Sequence, residues 1–285
     1  MNSQQPFITI DQNQLRRPAA LAAIAEVCRE KELRLLVSDG SFQEFAKSER
    51  FFETAKRSLE SLCPYRELIC MARPIKALIA DELTSAAPSV TLVNDGTTDY
   101  LRSLLAALEK SDGEELRELA DGPVKRLMPS ALAVWNDHDE KKVLIQALHD
   151  AFQRDMPAEQ LKSLRQSPET AASEWLSSLS GIRFVFQWLQ TRGFGAKVAY
   201  DLTQAPCVAV AFTSALAGLA IDWIAFGGIE SAQPLVLSGD LYDIEYIVLG
   251  SLCRSLATAD QRAARVCRAV ADGFTTRQSL PQTFE

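Results

Sequence analysis

The sequence has few of the residues on which many catalytic and metal sites depend. Histidine occurs only twice in 285 residues, at His138 and His149, and this argues against catalysis that needs a histidine pair. The six cysteines include no Cys-x-x-Cys pair, a pattern that disfavours both a zinc site and a disulfide framework. We therefore expect reduced, mostly buried thiols and chemistry that rests on other side chains.

The sequence also lacks a secretory signal and a long apolar run. Its first residues have neither the basic start nor the apolar core of a signal peptide, so we expect a cytoplasmic protein. The longest apolar run, residues 207–220, is short for a membrane span and is followed at once by Asp222. A buried helix and no membrane partner are expected.

The net charge of -7 is unevenly distributed along the chain. Residues 1–80 and 254–285 carry more basic than acidic side chains, while the residues between them are acidic. A basic-leaning catalytic unit with an acidic insertion fits this pattern, and so does an ordinary solvated surface. Charge alone therefore does not exclude a nucleic-acid substrate.

The first part of the chain alternates predicted strands with predicted helices. Short apolar runs bounded by turn residues indicate buried strands, and the amphipathic segments between them indicate helices. The strands are predicted at 7–10, 33–37 and 68–71, and the helices at 18–31 and 42–62. This order predicts an α/β fold with a parallel sheet flanked by helices. Residues 89–93 fit either an edge strand or a loop.

The remainder is predicted to be mostly helical. From residue 98 to 192 the pattern is helical throughout, and 207–226 is the buried helix. A further apolar helix is expected to begin near Asp240 and Asp243 and to lead into a short strand at 255–258. A closing helix is predicted at 261–270. The predicted domains are 1–96 and 200–285, forming one sheet-containing unit, with 97–199 as an all-helical insertion.

Four acidic residues are predicted to meet at one edge of the sheet. Asp11 follows the first strand directly, and Asp260 follows the last strand. Glu44 lies in the helix after the second strand, and Asp243 begins the helix that leads into the last one. Because ligands bind beyond the carboxyl ends of parallel strands, these side chains form a candidate site.

Carboxylates gathered in this way would repel one another unless a cation neutralised them. Oxygen ligands without histidine or thiolate favour Mg²⁺ or Mn²⁺. Asp240 stands three residues before Asp243 on a similar helical face, which makes it a further direct or water-mediated ligand. Each acid alone also fits a structural role as a turn residue or helix cap, so the interpretation rests on their shared edge.

These residues together resemble the PIN-like nuclease family. The segment from Asp11 through Asn13 to Leu15 resembles the family's Asp-x-Asn-x-apolar signature, and Glu44 matches the acid of its second helix. Asp243 matches the aspartate that opens the helix before the fourth strand, and the segment from Thr258 to Asp260 resembles the closing Thr-x-Asp. The resemblance covers residues 6–95 and 200–275, and typical compact members lack the helical insertion.

The resemblance implies a metal-dependent endoribonuclease that hydrolyses phosphodiester bonds with Mg²⁺ or Mn²⁺. It implies Asp11, Glu44, Asp243 and Asp260 as catalytic metal ligands, with Asp240 in support. Asn13 and Thr258 are expected to orient ligands or phosphate. Basic side chains are expected to contact the nucleic-acid backbone, and the candidates are Arg16, Arg17 and Lys47. RNA is the expected partner, with single-stranded DNA as a second substrate class.

Two alternatives remain open from the sequence. One is a catalytically inactive PIN-like module that binds nucleic acid or protein, including a homo-oligomer or partner held through the helical insertion. The other is a metal-dependent phosphatase or another hydrolase on a similar sheet. For the phosphatase, the Asp-x-Asp pair of one common class is absent after the first strand.

Overall fold

A computed structural model of the chain describes residues 6–41, 56, 59–89, 91–110, 138–191, 193, 195, 199, 201, 203, 205–229 and 234–278. The strands are β1 (Phe7–Ile10), β2 (Arg34–Val37), β3 (Ile69–Met71) and β4 (Leu256–Ala257), and a 3-10 helix spans Glu60–Leu68. The helices before β4 are α1 (Gln12–Leu15), α2 (Pro18–Glu30), α3 (Ile75–Ser85), α4 (Asp95–Lys110), α5 (His138–Asp155), α6 (Ala158–Gln166), α7 (Ala171–Ser177), α8 (Leu179–Thr191), α9 (Val208–Ala225) and α10 (Pro234–Cys253). After β4 the chain forms α11 (Gln261–Gln278).

The four strands form one sheet in the order β3-β2-β1-β4, and all three pairings are parallel. The predicted α/β class with a parallel sheet and helices is confirmed, and β1, β2 and β3 lie within a residue of their predicted bounds. Parallel neighbours require a crossover connection, and the segments between the strands are long enough to supply it. All four strands therefore end at the same edge of the sheet.

The chain divides into two compact units. Unit 1 contains Met1–Pro74, Thr91–Asp137 and Ser255–Ala259, and unit 2 contains Ile75–Val90, His138–Arg254 and Asp260–Glu285. These divisions fall at residues other than the predicted boundaries after residues 96 and 199. The helices α5–α8 belong to the same unit as α9–α11. The division into two sheet-containing segments and a helical insertion stays a prediction.

The core of unit 1 lies on one face of the sheet. Ile10 of β1, Val37 of β2 and Met71 of β3 are buried there, together with apolar side chains of α2, α4 and the 3-10 helix. In a strand, alternate side chains point to the same face, and the register of Ile10 with Val37 aligns these side chains. The described residues of the range 89–93 contribute no strand to the sheet, and Val93 forms an isolated antiparallel bridge with Ala72.

The core of unit 2 is built around α9. Its 18 residues are mostly buried, and it packs against α3, α5–α8, α10 and α11. By length and composition α9 could cross a membrane, but 89% of it is buried inside the protein. The predicted buried helix at 207–226 is confirmed, because this is the packing of a core helix.

Glu82 caps the start of α9 from a different helix. Its carboxylate is fully buried and accepts the backbone N–H groups of Val208 at 2.9 Å and Ala209 at 2.8 Å. It also accepts the N–H of Ser89 at 2.9 Å. The first N–H groups of a helix have no partner within the helix, and negative charge is favourable at this end. Glu82 therefore supplies the cap that Cys207, at the N-cap position, does not.

We expect Glu82→Gln to destabilise the protein by about 1.5–3 kcal/mol, the usual value of a hydrogen bond to a charged group. The amide keeps one acceptor oxygen but loses the charge and the second oxygen. Urea unfolding followed by circular dichroism measures the change. The exposed Asp81 on the same helix provides the control Asp81→Asn, and equal unfolding midpoints for both variants would contradict the capping role.

The start of α10 differs from its prediction. The sequence predicts an apolar helix beginning near Asp240 and Asp243, but the helix begins at Pro234, contains Gly239 and places Asp243 near its middle. Glycine inside a helix costs only about 1 kcal/mol relative to alanine, and buried side chains such as Leu237 and Ile247 offset it. The prediction that Asp240 and Asp243 stand at a helix start is therefore wrong.

Three smaller differences concern segment ends. The last strand is shorter than predicted, at Leu256–Ala257, and the closing helix extends to Gln278. Most of the predicted helix at 42–62 lies outside the described residues, and its final residues form the start of the 3-10 helix. In that helix Pro64 lacks the N–H that a regular α-helix would use.

Candidate functional site

Asp11 lies at the carboxyl end of β1, between β2 and β4. Its backbone N–H donates to Ala257 O at 3.0 Å, which continues the β1–β4 pairing by one residue. The carboxylate caps α1, with Oδ1 accepting the backbone N–H of Asn13 at 3.1 Å. Asp11 is only 3% exposed. The sheet and the cap together hold this carboxylate in one place and orientation.

A further hydrogen bond to Asp11 comes from Thr258, which is far from it in the sequence. Its hydroxyl donates to Asp11 Oδ2 at 2.7 Å, across 247 residues of sequence. The contact follows from the parallel register of Ile10 with Ala257, which places the next residues of both strands side by side. The sequence-predicted pair of Asp11 and Thr258 is therefore in contact, and it leaves part of the carboxylate's acceptor capacity for another ligand.

The three remaining described candidates near Asp11 are solvent-exposed. Asn13 Nδ2 lies 3.5 Å from Asp11 Oδ2, at the outer limit of a hydrogen bond. Arg16 and Arg17 follow α1, and both side chains are exposed. Exposure is what a contact to a phosphate backbone requires, although exposed arginines are also the norm on protein surfaces. Their predicted role in substrate binding stays a prediction.

Two buried polar atoms near Asp11 in the sequence have no hydrogen-bond partner. They are Thr9 Oγ1 and Gln12 Nε2, and Gln12 is only 6% exposed. An unpaired buried donor costs about 1–3 kcal/mol, so each of these atoms would gain from a polar partner at this edge of the sheet. Gln12 was not predicted as a site residue, because it occupies the unspecified position of the Asp-x-Asn signature.

Asp240 is held by an arginine and a tryptophan. Its Oδ2 accepts Trp223 Nε1–H at 2.9 Å and is also paired with Arg262 Nη1. Burial raises the pKa of Asp240, an effect that Arg262 and Trp223 oppose and the nearby Asp260 reinforces. The structure thus gives Asp240 an ion-pair partner in addition to its predicted role as a metal ligand.

Asp260 and Asp243 lie on consecutive helices of unit 2. Asp260 caps α11, with Oδ1 accepting the backbone N–H of Ala263 at 2.9 Å. Asp243 is half-buried near the middle of α10. Glu44 and Lys47 lie outside the described residues. Their predicted roles as a metal ligand and a phosphate contact stay predictions.

A second set of buried charges was missed by sequence reasoning. Asp222 lies within the apolar α9 and is 1% exposed, and its carboxylate accepts Arg262 Nε at 2.9 Å and Arg265 Nε at 3.0 Å. An acid inside an otherwise apolar helix is the sequence signal for such a pair, since a buried charge needs a partner. Its partners could not be named, because they come from another helix.

The six cysteines are free thiols, and burial raises the pKa of Cys28, Cys63 and Cys267. None of the six forms a disulfide, and all but Cys253 are buried. Burial raises the pKa of Cys267 to about 12, so its nucleophilic thiolate is scarce at neutral pH. The predicted reduced and mostly buried thiols are confirmed.

Among the described residues, no three histidine, cysteine, aspartate or glutamate side chains are grouped closely enough to hold a metal ion. Asp11 nevertheless offers a buried carboxylate that its hydrogen bonds to Asn13 and Thr258 hold in place, and carboxylate oxygens are ligands for hard divalent cations. No protein-family model, no curated protein and no solved structure matches the chain. The resemblance to PIN-like nucleases therefore rests on the sequence motifs alone and stays a prediction.

Proposed function

We propose that the protein is a metal-dependent endoribonuclease of the PIN-like class. The main observation that supports this proposal is the hydrogen bond from the Thr258 hydroxyl to Asp11 Oδ2, at 2.7 Å. It lies at the carboxyl edge of an all-parallel sheet. Ligands bind at this edge in open α/β sheets. A buried carboxylate fixed there by two strands and a helix cap is suited to hold a cation.

The proposed metal ligand among the described residues is Asp11, with Mg²⁺ or Mn²⁺ as the ion, whereas Glu44, Asp243 and Asp260 keep only the ligand roles that the resemblance implies. When bound, such an ion polarises the scissile phosphate and lowers the pKa of a bound water. The Thr258 hydroxyl fixes Asp11 Oδ2 so that the free acceptor positions of the carboxylate keep one direction. Asn13, Arg16 and Arg17 present exposed groups that bind and orient the RNA backbone.

The proposal is tested by incubating the purified protein with labelled RNA and with labelled single-stranded DNA. Each substrate is tested with Mn²⁺, with Mg²⁺ and with a chelator. We expect the RNA to be cleaved at internal phosphodiester bonds, and only when Mn²⁺ or Mg²⁺ is present. Cleavage that continues in the chelator would contradict the mechanism, and cleavage of DNA alone would contradict the proposed substrate.

In the second candidate function, the protein is a cytoplasmic binding module without catalytic activity. It is favoured by the caps that Asp11 and Asp260 form on α1 and α11, because a cap needs a carboxylate but no metal. No cleavage of either nucleic acid, together with measured binding of RNA, would favour this function. Absence of Mn²⁺ binding in the same protein would strengthen it.

Thr258→Val tests the contact that carries the proposal. Valine has a similar shape but cannot donate a hydrogen bond, so the Asp11 carboxylate loses the contact that fixes its orientation. We expect Mn²⁺ affinity or kcat to fall by about 10–100-fold, which is the usual effect of losing a group that orients a metal ligand. Isothermal titration calorimetry and RNA cleavage measure the two quantities. Thr258→Ser keeps the hydroxyl and is expected to behave as the wild type; equal losses in both variants would indicate a packing effect instead.

A further inference from the structure

One edge of the sheet is formed by β3, which pairs with a strand, β2, on one side only. The three residues of this strand, Ile69, Cys70 and Met71, are apolar and buried. Many proteins protect an edge strand with a charged side chain or a proline within the strand itself. Strand β3 contains neither, so its protection has to come from another part of the chain.

The backbone groups on the free side of β3 belong to Ile69 and Met71. The residues of a paired strand direct their N–H and C=O groups to alternate sides, and Ala72 N–H bonds to Val37 O of β2 at 2.8 Å. Ala72 and Cys70 therefore face β2, whereas Ile69 and Met71 face away from it. Two N–H groups and two C=O groups lie on the side where a further strand would pair.

Helix α4 and the residue before it satisfy both backbone groups of Met71. The Met71 N–H donates to the Thr98 hydroxyl oxygen at 2.9 Å, and its C=O accepts the backbone N–H of Asn94 at 2.8 Å. Thr98 is only 3% exposed, and its hydroxyl donates to Asn94 O at 2.7 Å. A side-chain oxygen therefore occupies the place that the carbonyl of a further strand would take.

Arg102, one turn further along α4, covers the carbonyl of Ile69. Its Nη2 donates to Ile69 O at 2.9 Å, while the Ile69 N–H donates to Arg66 O at the end of the 3-10 helix. The ion pair of Arg102 with Asp99 is longer, at 4.0 Å from Nη1, and Arg102 Nε is buried without a partner. The backbone of β3 thus gives Arg102 its shortest polar contact among the described residues.

We propose that Thr98 and Arg102 seal the edge of β3 against pairing with the same strand of a second copy of this chain. A two-fold axis beside the strand would place two such edges antiparallel, and each edge would offer the groups that the other needs. An apolar edge strand without charge or proline is a template for this pairing. The inference does not depend on the proposed nuclease function.

Thr98→Val removes the acceptor of the Met71 N–H and keeps the shape of the side chain. At low protein concentration, we expect the Met71 amide to exchange with deuterated solvent about tenfold faster than in the wild type, the effect of one lost hydrogen bond. Hydrogen exchange followed by NMR measures this rate. In the control Thr97→Val, the neighbouring threonine keeps its backbone N–H bond to Asn94 Oδ1, and the Met71 rate is expected to stay unchanged. Equal Met71 rates in Thr98→Val and the wild type would overturn the role of Thr98.

The double variant Thr98→Val/Arg102→Met opens both outward residues of the edge. We expect it to form a species of twice the wild-type mass as its concentration is raised, measured by sedimentation velocity, and its Met71 amide to regain protection in that species. The matched control is Thr97→Val/Lys110→Met, which removes a positive charge from an exposed position at the end of α4. A mass distribution equal to that of the wild type at every concentration would overturn the proposal.

Glu82→Gln separates edge pairing from association that follows a loss of stability. This variant weakens the cap of α9 and leaves the sequence of β3 and α4 unchanged, so we expect it to keep the wild-type mass. The sealing role would be overturned if Glu82→Gln associated as strongly as the double variant, or if the double variant associated without renewed protection of the Met71 amide. None of these results bears on RNA cleavage, so the inference and the proposed function fail separately.

Discussion

Asp11→Asn is expected to lower kcat for RNA cleavage by on the order of 100-fold or more, since it weakens a metal ligand at the centre of the proposed site. Asparagine has nearly the same shape but only one oxygen, so the backbone N–H of Asn13 can keep its acceptor, while the amide Nδ2 takes the place of Oδ2 and can donate to the Thr258 hydroxyl oxygen. The charge that attracts the cation is lost. Mn²⁺ affinity measured by calorimetry is expected to fall together with kcat.

The control for this prediction is Asp99→Asn, which removes one negative charge from an exposed position of α4. It leaves the carboxyl edge of the sheet unchanged, so activity and Mn²⁺ affinity are expected to stay at wild-type values. An Asp11→Asn protein with wild-type Mn²⁺ affinity and kcat would contradict the role of Asp11 as a metal ligand. Unfolding curves of both variants would show that neither loses activity by unfolding.

Asp222→Ala is expected to give the largest loss of stability, about 3 kcal/mol, the lower end of the range for breaking a buried ion pair. The lower end applies because the partners Arg262 and Arg265 are partly exposed, at 28% and 17% of their side-chain surface, and can regain water. Their hydrogen bonds to Asp222 are nevertheless lost together. Urea unfolding followed by tryptophan fluorescence and circular dichroism measures the effect.

Glu169 provides a matched comparison for Asp222. It pairs with the same Arg265, at 3.5 Å, but its side chain is 69% exposed. Exposed ion pairs contribute at most about 1 kcal/mol, so Glu169→Ala is expected to unfold almost as the wild type does. If Asp222→Ala and Glu169→Ala were equally stable, burial would not be what gives the Asp222 network its strength.

Local sequence patterns predicted the sheet well. The runs at β1 and β2 are short, apolar and bounded by polar turn residues, and a strand buried on both faces of a parallel sheet has this pattern. The helix α2 begins at Pro18, a residue that favours the first turn. In each case the information that defines the element lies within the element itself.

Positions that depend on distant contacts were predicted less well. The helix α10 begins six residues before Asp240, and no local pattern marks Glu82 as the cap of α9, whose start is 126 residues away in the sequence. The pairing of Arg262 with Asp222 spans 40 residues. Arginine is usually exposed, so nothing local marks Arg262 as the partner of two buried acids.

The same distinction between local and distant information applies to the candidate site. The contact between Asp11 and Thr258 could be predicted, because both residues follow parallel strands whose carboxyl ends share one edge. The buried, unpaired amide of Gln12 could not be predicted, because the burial of a single polar side chain depends on the residues that pack around it. Asp240 was predicted as a metal ligand from its helical spacing, which carries no information about Arg262 or Trp223.

The most direct test of the account is the rate at which the purified protein cleaves a labelled RNA in Mn²⁺, measured beside the same reaction in a chelator and beside Asp11→Asn in Mn²⁺. The account predicts cleavage within the RNA chain by the wild type in Mn²⁺, and a loss of on the order of 100-fold or more in both other reactions. Equal rates in all three reactions would contradict it.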